Sequence, residues 1–233
     1  RTRLFITSHI FWTTGLVAPL RGIAGICRKV TNGECLVLAD GAQSAGMIPV
    51  NFPALDVDFF ATTLSKWLCG PSGVGALIGR GSHVETLHPI LSGWRGVEVS
   101  EPEGTIGWRN GARRWEGGSP AYALYGAAEA AISVHDEFGK AAFRWERIRS
   151  TAKTLAGRLM SLPLAGAEVL AHSGLVFMSH PTINAHRLAM GLEARNILVR
   201  SIPFPERLRF CVHYLTTMED IDRLIEGLGE ELS

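Results

Sequence analysis

Asp58-Phe-Phe-Ala-Thr-Thr-Leu-Ser-Lys66-Trp-Leu-Cys-Gly-Pro-Ser-Gly-Val-Gly75 is where the architecture of this chain is easiest to read. An apolar, β-prone run ends in hydroxyl residues and a lysine, and Gly70, Gly73 and Gly75 follow closely. The chain has four lysines, at positions 29, 66, 140 and 153, and Lys66 is the one embedded between apolar segments. A partly desolvated lysine at a strand end has a lowered amine pKa and becomes a nucleophile, the usual setting of a Schiff-base lysine. A surface lysine snorkelling from a turn would fit the same stretch. The neighbouring segments have to decide between the two.

Upstream, the apolar run Cys35 to Ala39 stops at Asp40, and the run Leu4 to Ser8 ends at His9. Between them, Pro19 and the apolar positions Leu20, Ile23, Ile26 and Cys27 predict a helix ending before Asn32-Gly33. Ser44 to Met47 reads as a short turn or helix, and Val74 to Ile78 as a further strand after the glycines. Short apolar runs that alternate with helices indicate strands buried on both faces. The rhythm is that of an α/β fold with a mostly parallel sheet and flanking helices, whose ligands sit outside the carboxyl ends of the strands. His9, Asp40 and Lys66 each stand at such an end, so one crevice could receive all three. Taken alone, Asp40 would equally serve as a helix cap or turn residue.

From Gly81 to Gly118 the sequence is polar, glycine-rich and irregular, with Trp94, Trp108 and Trp115 and arginines at 109, 113 and 114. Such a loop suits a site lid or a subunit interface, or else a solvent-exposed insertion. Pro120 suits the first turn of a helix, Ala121 to Val134 reads as a buried helix, and Ala141 to Leu162 as an amphipathic connector. From Leu164 the rhythm changes to short strands and two helices, an α+β lobe whose last helix opens at the cap Thr217-Met-Glu-Asp220. The expected division is therefore residues 1–140, a connecting helix over 141–163, and a small C-terminal α+β domain over 164–233. His180 and His186 are off any metal-ligand spacing and read as structural. No metal site is expected.

Composition narrows the field further. The 233 residues are 46% hydrophobic and 19% charged, with a net charge of +1, which points to neither nucleic acid nor a membrane surface as partner. No apolar run approaches the ~20 residues of a membrane span, and the opening residues carry no signal-peptide pattern. The four cysteines lack CxxC spacing and read as reduced thiols of a cytoplasmic protein rather than disulfides or zinc ligands. There is no Walker loop and no GxGxxG fingerprint. The chain lacks an initiator Met and opens inside a strand-like run, which reads as the interior of a larger protein.

Asp40-Gly-Ala-Gln43 followed by Ser65-Lys66-Trp-Leu-Cys-Gly-Pro-Ser-Gly-Val-Gly75 resembles the class V aminotransferase family. These are fold-type I pyridoxal-phosphate (PLP) enzymes, among them cysteine desulfurases, selenocysteine lyases, isopenicillin N epimerase-like proteins and sulfoxide lyases. Ser8-His9, Thr14-Gly15, Arg114-Trp-Glu-Gly-Gly-Ser119-Pro120 and Arg209 with Thr216-Thr-Met-Glu-Asp-Ile-Asp222 follow in the family's order, so the resemblance runs over nearly the whole chain. It implies that Lys66 forms the Schiff base with pyridoxal 5'-phosphate and later shuttles the Cα proton. Asp40 would pair with the protonated pyridine nitrogen. Gln43 would hydrogen-bond the ring's phenolic oxygen. Thr63 and Ser65 would hold the phosphate, joined by Ser119 from the partner subunit of a homodimer. Arg209 would clamp the carboxylate of an amino-acid substrate, with Arg200 as a second candidate.

Three departures from the family pattern bear on the reaction. Ser65 stands where the family usually has His, and Trp12 aligns with a polar residue. Arg200-Ser-Ile-Pro-Phe-Pro-Glu-Arg207 has no cysteine where desulfurases carry theirs. The resemblance therefore implies an aminotransferase, epimerase or β-lyase rather than a persulfide-forming desulfurase. The family's long N-terminal portion, with other phosphate contacts and the ring-stacking aromatic residue, has no counterpart in these residues. That keeps open an alternative from another class: a catalytically impaired relative acting as a structural or partner-binding subunit.

Overall fold

The computed structural model describes residues 1–91, 93–100 and 104–232. Strand β1 (Leu4–Ser8) leads through helix α1 (Leu20–Thr31) to β2 (Leu36–Asp40), and the two strands pair in parallel with Ser8 opposite Asp40. Asn32 ends α1 in the left-handed region at φ 51, so the chain leaves the helix where the Asn-Gly pair predicted. One helical turn, α2 (Phe52–Leu55), is capped by the Asn51 side chain and precedes β3 (Phe59–Thr63), which adds parallel to β2. Leu20 and Ala24 of α1 pack on Val37, Ala39, Val57 and Phe60, which accounts for the apolar runs of β2 and β3.

The next strand, β4 (Gly75–Gly79), lies antiparallel to β3 and closes the sheet order β1-β2-β3-β4. A parallel return needs a crossover of a dozen or more residues. Residues 64–74 hold no helix and simply reverse the chain. The sheet is therefore mostly parallel with one antiparallel edge.

The stretch after β4 is more ordered than its composition suggested. It holds α3 (Gly81–Thr86), the antiparallel pair of β5 (Val97–Ser100) with β6 (Thr105–Trp108), and a 3-10 turn at Gly111–Trp115. Arg114 organises it: its buried guanidinium donates to the Val84 and Glu85 carbonyls and lies 3.7 Å from the Glu85 carboxylate. Helix α4 (Tyr122–Phe138) corrects a second expectation. Among its residues only Ala128 and His135 are buried, while Tyr122, Tyr125, Ile132 and Val134 are exposed. Its composition is that of a buried helix, but the described residues supply no partner for most of its surface.

Helix α5 (Ala141–Met160) is amphipathic as expected, and Arg144 near its start donates to the His135 and Gly139 carbonyls at the end of α4. It packs under a second sheet built from β7 (Glu168–Ala171), β8 (Leu175–Ser179), β9 (Arg200–Pro203) and β10 (Glu206–Cys211), all antiparallel in the order β7-β8-β10-β9. Helices α6 (Ala185–Ala194) and α7 (Met218–Leu232) complete that core against Leu208, Phe210 and Val212. Thr217 and Asp220 cap α7 reciprocally: Thr217 Oγ1 accepts the Asp220 N–H at 3.1 Å, and Asp220 Oδ2 accepts the Thr217 N–H at 2.8 Å. A separate cluster joins the two sheets, with Ile10, Met47 and Trp67 from the first packed on Phe177, Ile202 and Tyr214 from the second.

Beneath the first sheet lies its strongest polar anchor. Asp58 is 4% exposed; its Oδ2 accepts the Val37 N–H at 2.7 Å, and its Oδ1 faces His83 at 3.1 Å and Arg28 and Arg80 at 3.8 Å. Asp56 meets the same two arginines at 2.6 Å each. Burial by itself raises the Asp56 carboxyl, but hydrogen bonds from Arg28 and Arg80 outweigh it and hold the group below the usual range. Asp58→Ala leaves buried donors unpaired and is expected to cost about 3 kcal/mol. Asp56→Ala, at a partly exposed pair, should cost about 1 kcal/mol. Urea unfolding midpoints at constant m-value check both.

Candidate active site

Because β1, β2 and β3 pair in parallel, their carboxyl ends come out on one edge of the sheet. A cleft of about 440 Å³ opens there, with Asp40, Gln43 and Lys66 from the first sheet facing Arg200 and Arg209 from the second, and Ser8, Ile10 and Trp12 as wall. His9 is not among them. Alternation along the strand turns Ser8 and Ile10 to the cleft and His9 away from it. His9 is 4% exposed, places Nδ1 2.9 Å from Ser44 Oγ, and meets Phe60 edge-on at 6.2 Å. The crevice expected for three residues holds Asp40 and Lys66 only.

Asp40 is exposed at the end of β2, and its Oδ1 accepts the Ala42 N–H at 2.8 Å, which leaves the second oxygen open. The turn that aims it requires Gly41: a Cβ there would lie 2.0 Å from the Phe60 ring. Gln43 is oriented by Trp67, whose indole Nε1–H donates to Gln43 Oε1 at 2.8 Å. An indole N–H can only donate, so it selects the amide oxygen and leaves the Gln43 NH₂ as the free donor. That polarity is the one a cofactor oxygen needs.

Lys66 corrects the expectation of a desolvated amine. It is exposed, and among the described residues its amine has neither hydrogen bond nor ion pair. The strand ends at Thr63, and in the turn that follows it is Leu64 and Trp67 that point inward. Lys66 thus stands free in the cleft. Thr63 and Ser65 come together, hydroxyl to hydroxyl at 3.0 Å, beside the cleft rather than on its lining. Ser119 is exposed ahead of α4 and does not line it either.

Arg200 and Arg209 are direct cross-strand partners on β9 and β10. Arg209 is steered by Trp12: Nη1 donates to the Trp12 carbonyl at 3.3 Å, and the guanidinium lies 5.9 Å from the indole centroid. Like charges placed opposite each other are unfavourable, and Asp40 is the one acid on the cleft lining. The pair is arranged for an anion.

The cleft continues along Trp67 to Cys211 and His213. Cys211 ends β10, and the alternation Arg207, Arg209, Cys211 along that strand turns it to the same face as Arg209. Burial pushes the Cys211 thiol up, with the neighbouring Arg209 guanidinium acting against the shift. Sequence reasoning missed Trp67 and His213. Trp67 directly follows the lysine, and His213 stands just past a strand end, as Asp40 does.

The chain has an α/β fold, a mostly parallel four-stranded sheet with the cleft at its strand ends and a four-stranded antiparallel sheet packed against it. The family model for class-V aminotransferases matches residues 1–224, and the chain belongs to that family, whose members use pyridoxal phosphate. It is 30% identical to an isopenicillin N epimerase of Streptomyces clavuligerus, over 98% of this chain and 60% of that protein. It is 27% identical to a probable cysteine desulfurase of Halalkalibacterium halodurans, over 98% of this chain and 58% of that protein. Among solved structures, the cystine C–S lyase C-DES with its product cysteine persulfide matches at TM-score 0.89 and 36% identity, over 98% of this chain and 61% of that one. A lysine-to-alanine variant of C-DES, with glycine covalently linked to its PLP, matches at TM-score 0.90. The chain spans about 60% of the length of these relatives. No helix among the described residues is long and apolar enough to cross a membrane.

Burial lowers the pKa of His9, His135 and His213 below 6.5, their ordinary value. The unfolded chain therefore binds more protons than the folded one below about pH 6.5. The stability these groups contribute is complete above that pH and is lost as pH falls through it. Urea midpoints measured from pH 8 to pH 5 should decline below about 6.5, and His9→Asn should flatten the slope.

Proposed function

We propose that this chain carries the cofactor-binding and substrate-binding groups of a PLP-dependent enzyme acting at the Cα of an amino acid. The observation that carries the reading is the Gln43 amide, held by Trp67 with its NH₂ free in the cleft of Asp40 and Lys66. When bound, pyridoxal 5'-phosphate supplies an electron sink for charge developing at the substrate Cα. The groups present fit it. The open oxygen of Asp40 suits the pyridinium N–H, the Gln43 NH₂ the phenolic oxygen, and the Thr63–Ser65 hydroxyl pair the phosphate. The free Lys66 amine suits the aldehyde, and it is the one base on the cleft lining placed to take and return a Cα proton. Arg209, preset by Trp12, donates bidentately to the substrate carboxylate, and Arg200 is the second cation.

Similarity to an epimerase and to a C–S lyase supports chemistry at the Cα, and we read the reaction as aminotransferase, epimerase or β-lyase in type. Because Ser119 lies away from the cleft of its own chain, we assign it to the phosphate site of a second copy in a homodimer. Four free cysteines suit a reducing compartment, and we place the enzyme in the cytoplasm.

Titrating the purified chain with PLP should produce a visible absorbance band that Lys66→Ala abolishes. Absence of a band in the parent chain sinks the reading. With cofactor bound, amino acids should perturb the band while their α-carboxamides should not. Arg209→Gln should weaken amino-acid binding roughly 10- to 100-fold and remove that discrimination.

A further inference from the structure

We propose that His213 is a positioning residue that acts through Trp67 to hold Gln43 and Lys66 in their cofactor-facing arrangement. The role in catalysis rests on the PLP reading above; the linkage itself stands on geometry. His213 lies just past β10, 146 residues from Trp67 in sequence, and its Nε2 lies 3.1 Å from the Trp67 carbonyl oxygen. Its Nδ1 accepts the Leu215 N–H at 3.4 Å, so the proton sits on Nε2, which donates to Trp67. The imidazole also stacks on the indole, 5.7 Å between centroids and 27° between planes, and is backed by Tyr214 at 4.2 Å.

Trp67 has little room to answer any other way. It is 5% exposed and packed by Ile10, Met47 and Tyr214. On its carbonyl side, Gly46 stands at φ +90, where a Cβ would come within 2.6 Å of the Trp67 oxygen. The residue that His213 grips at the carbonyl and the ring is thus the one that grips Gln43 through Nε1–H at 2.8 Å. It is also the residue next to Lys66, whose own carbonyl closes the turn by accepting the Cys69 N–H at 3.0 Å. A histidine just past the second sheet therefore reaches the residue that orients Gln43 and adjoins Lys66. Without it, the Trp67 carbonyl loses a donor and the indole a stacking face, so the partner that fixes the Gln43 polarity is less firmly held.

The test uses the full chain with three substitutions. His213→Phe keeps a ring on Trp67 and removes the donor, His213→Gln supplies a donor without the ring stack, and Lys66→Ala controls for cofactor attachment. Without PLP, the Trp67 indole N–H and the Gln43 side-chain NH₂ are followed by ¹H–¹⁵N NMR. Both resonances should move in His213→Phe, with indole N–H exchange faster by about tenfold or more, and His213→Gln should lie between it and the parent. With PLP itself as the probe, His213→Phe should bind about tenfold more weakly and shift the pH midpoint of the visible band, because that midpoint senses the hydrogen bond on the phenolic oxygen. Resonances in His213→Phe that coincide with the parent's overturn the proposal. So does a variant whose thermal midpoint falls while resonances, PLP affinity and band midpoint stay put, since that is a structural role alone. If His213→Phe does not fold, the comparison passes to His213→Gln: displaced resonances support the linkage and coincident ones overturn it. A parent chain without any visible band sinks the PLP reading separately, because the NMR arm needs no cofactor.

Discussion

The arrangement depends on one packed contact, the burial of Trp67 between the two sheets. Charged groups alone could not set this cleft. Exposed ion pairs are worth about 0–1 kcal/mol, whereas a buried aromatic ring removes roughly 150–250 Å² from water, worth about 4–6 kcal/mol. Trp67 with Ile10, Met47, Phe177, Ile202 and Tyr214 therefore decides how the antiparallel sheet sits on the parallel one. Arg200 and Arg209 reach the same space as Asp40 and Lys66 because that cluster holds the two sheets together.

The polar groups then work within a frame already fixed. Backbone donors and aromatic neighbours, rather than opposite charges, orient the reactive side chains: Ala42 for Asp40, Trp67 for Gln43, Trp12 for Arg209. None of these contacts neutralises the group it orients. Among the described residues the cleft consequently keeps a free carboxylate oxygen, a free amide NH₂, a free amine and two guanidinium groups. Such a set is costly to hold together without a ligand and well suited to a molecule with a cationic ring nitrogen, an oxyanion and a carboxylate.

Much of the fold was legible because local rules agree with global ones. The apolar runs of β1 and β3, the Asn-Gly stop of α1 and the Thr217–Asp220 cap are decided within a few residues, and each is where the sequence put it. The misreadings have physical causes. The segment after β4 looked irregular because a buried arginine, not an apolar period, ties α3 to the 3-10 turn. Helix α4 looked buried because composition reports what a helix could pack against, not what lies beside it. His9 passed for a site residue because its place at a strand end says nothing about which face it takes, and Lys66 looked desolvated because Leu64 and Trp67 turn inward while it turns out.

By itself, the sequence pointed to the family, which the family model bears out, and nominated the groups of a candidate site. Asp40 and Lys66 stood out because ligands of parallel sheets gather at strand ends, and the resemblance to the family added Gln43 and Arg209 as candidates. Only the tertiary structure decided which of the candidates face one another, that Gln43 shows its NH₂ rather than its oxygen, and that His213 reaches across to the residue beside the lysine. The reason is separation along the chain. An interaction between residues 146 apart leaves no periodicity, cap or spacing for a local reading to find, and it comes into being when an apolar cluster brings its two ends together.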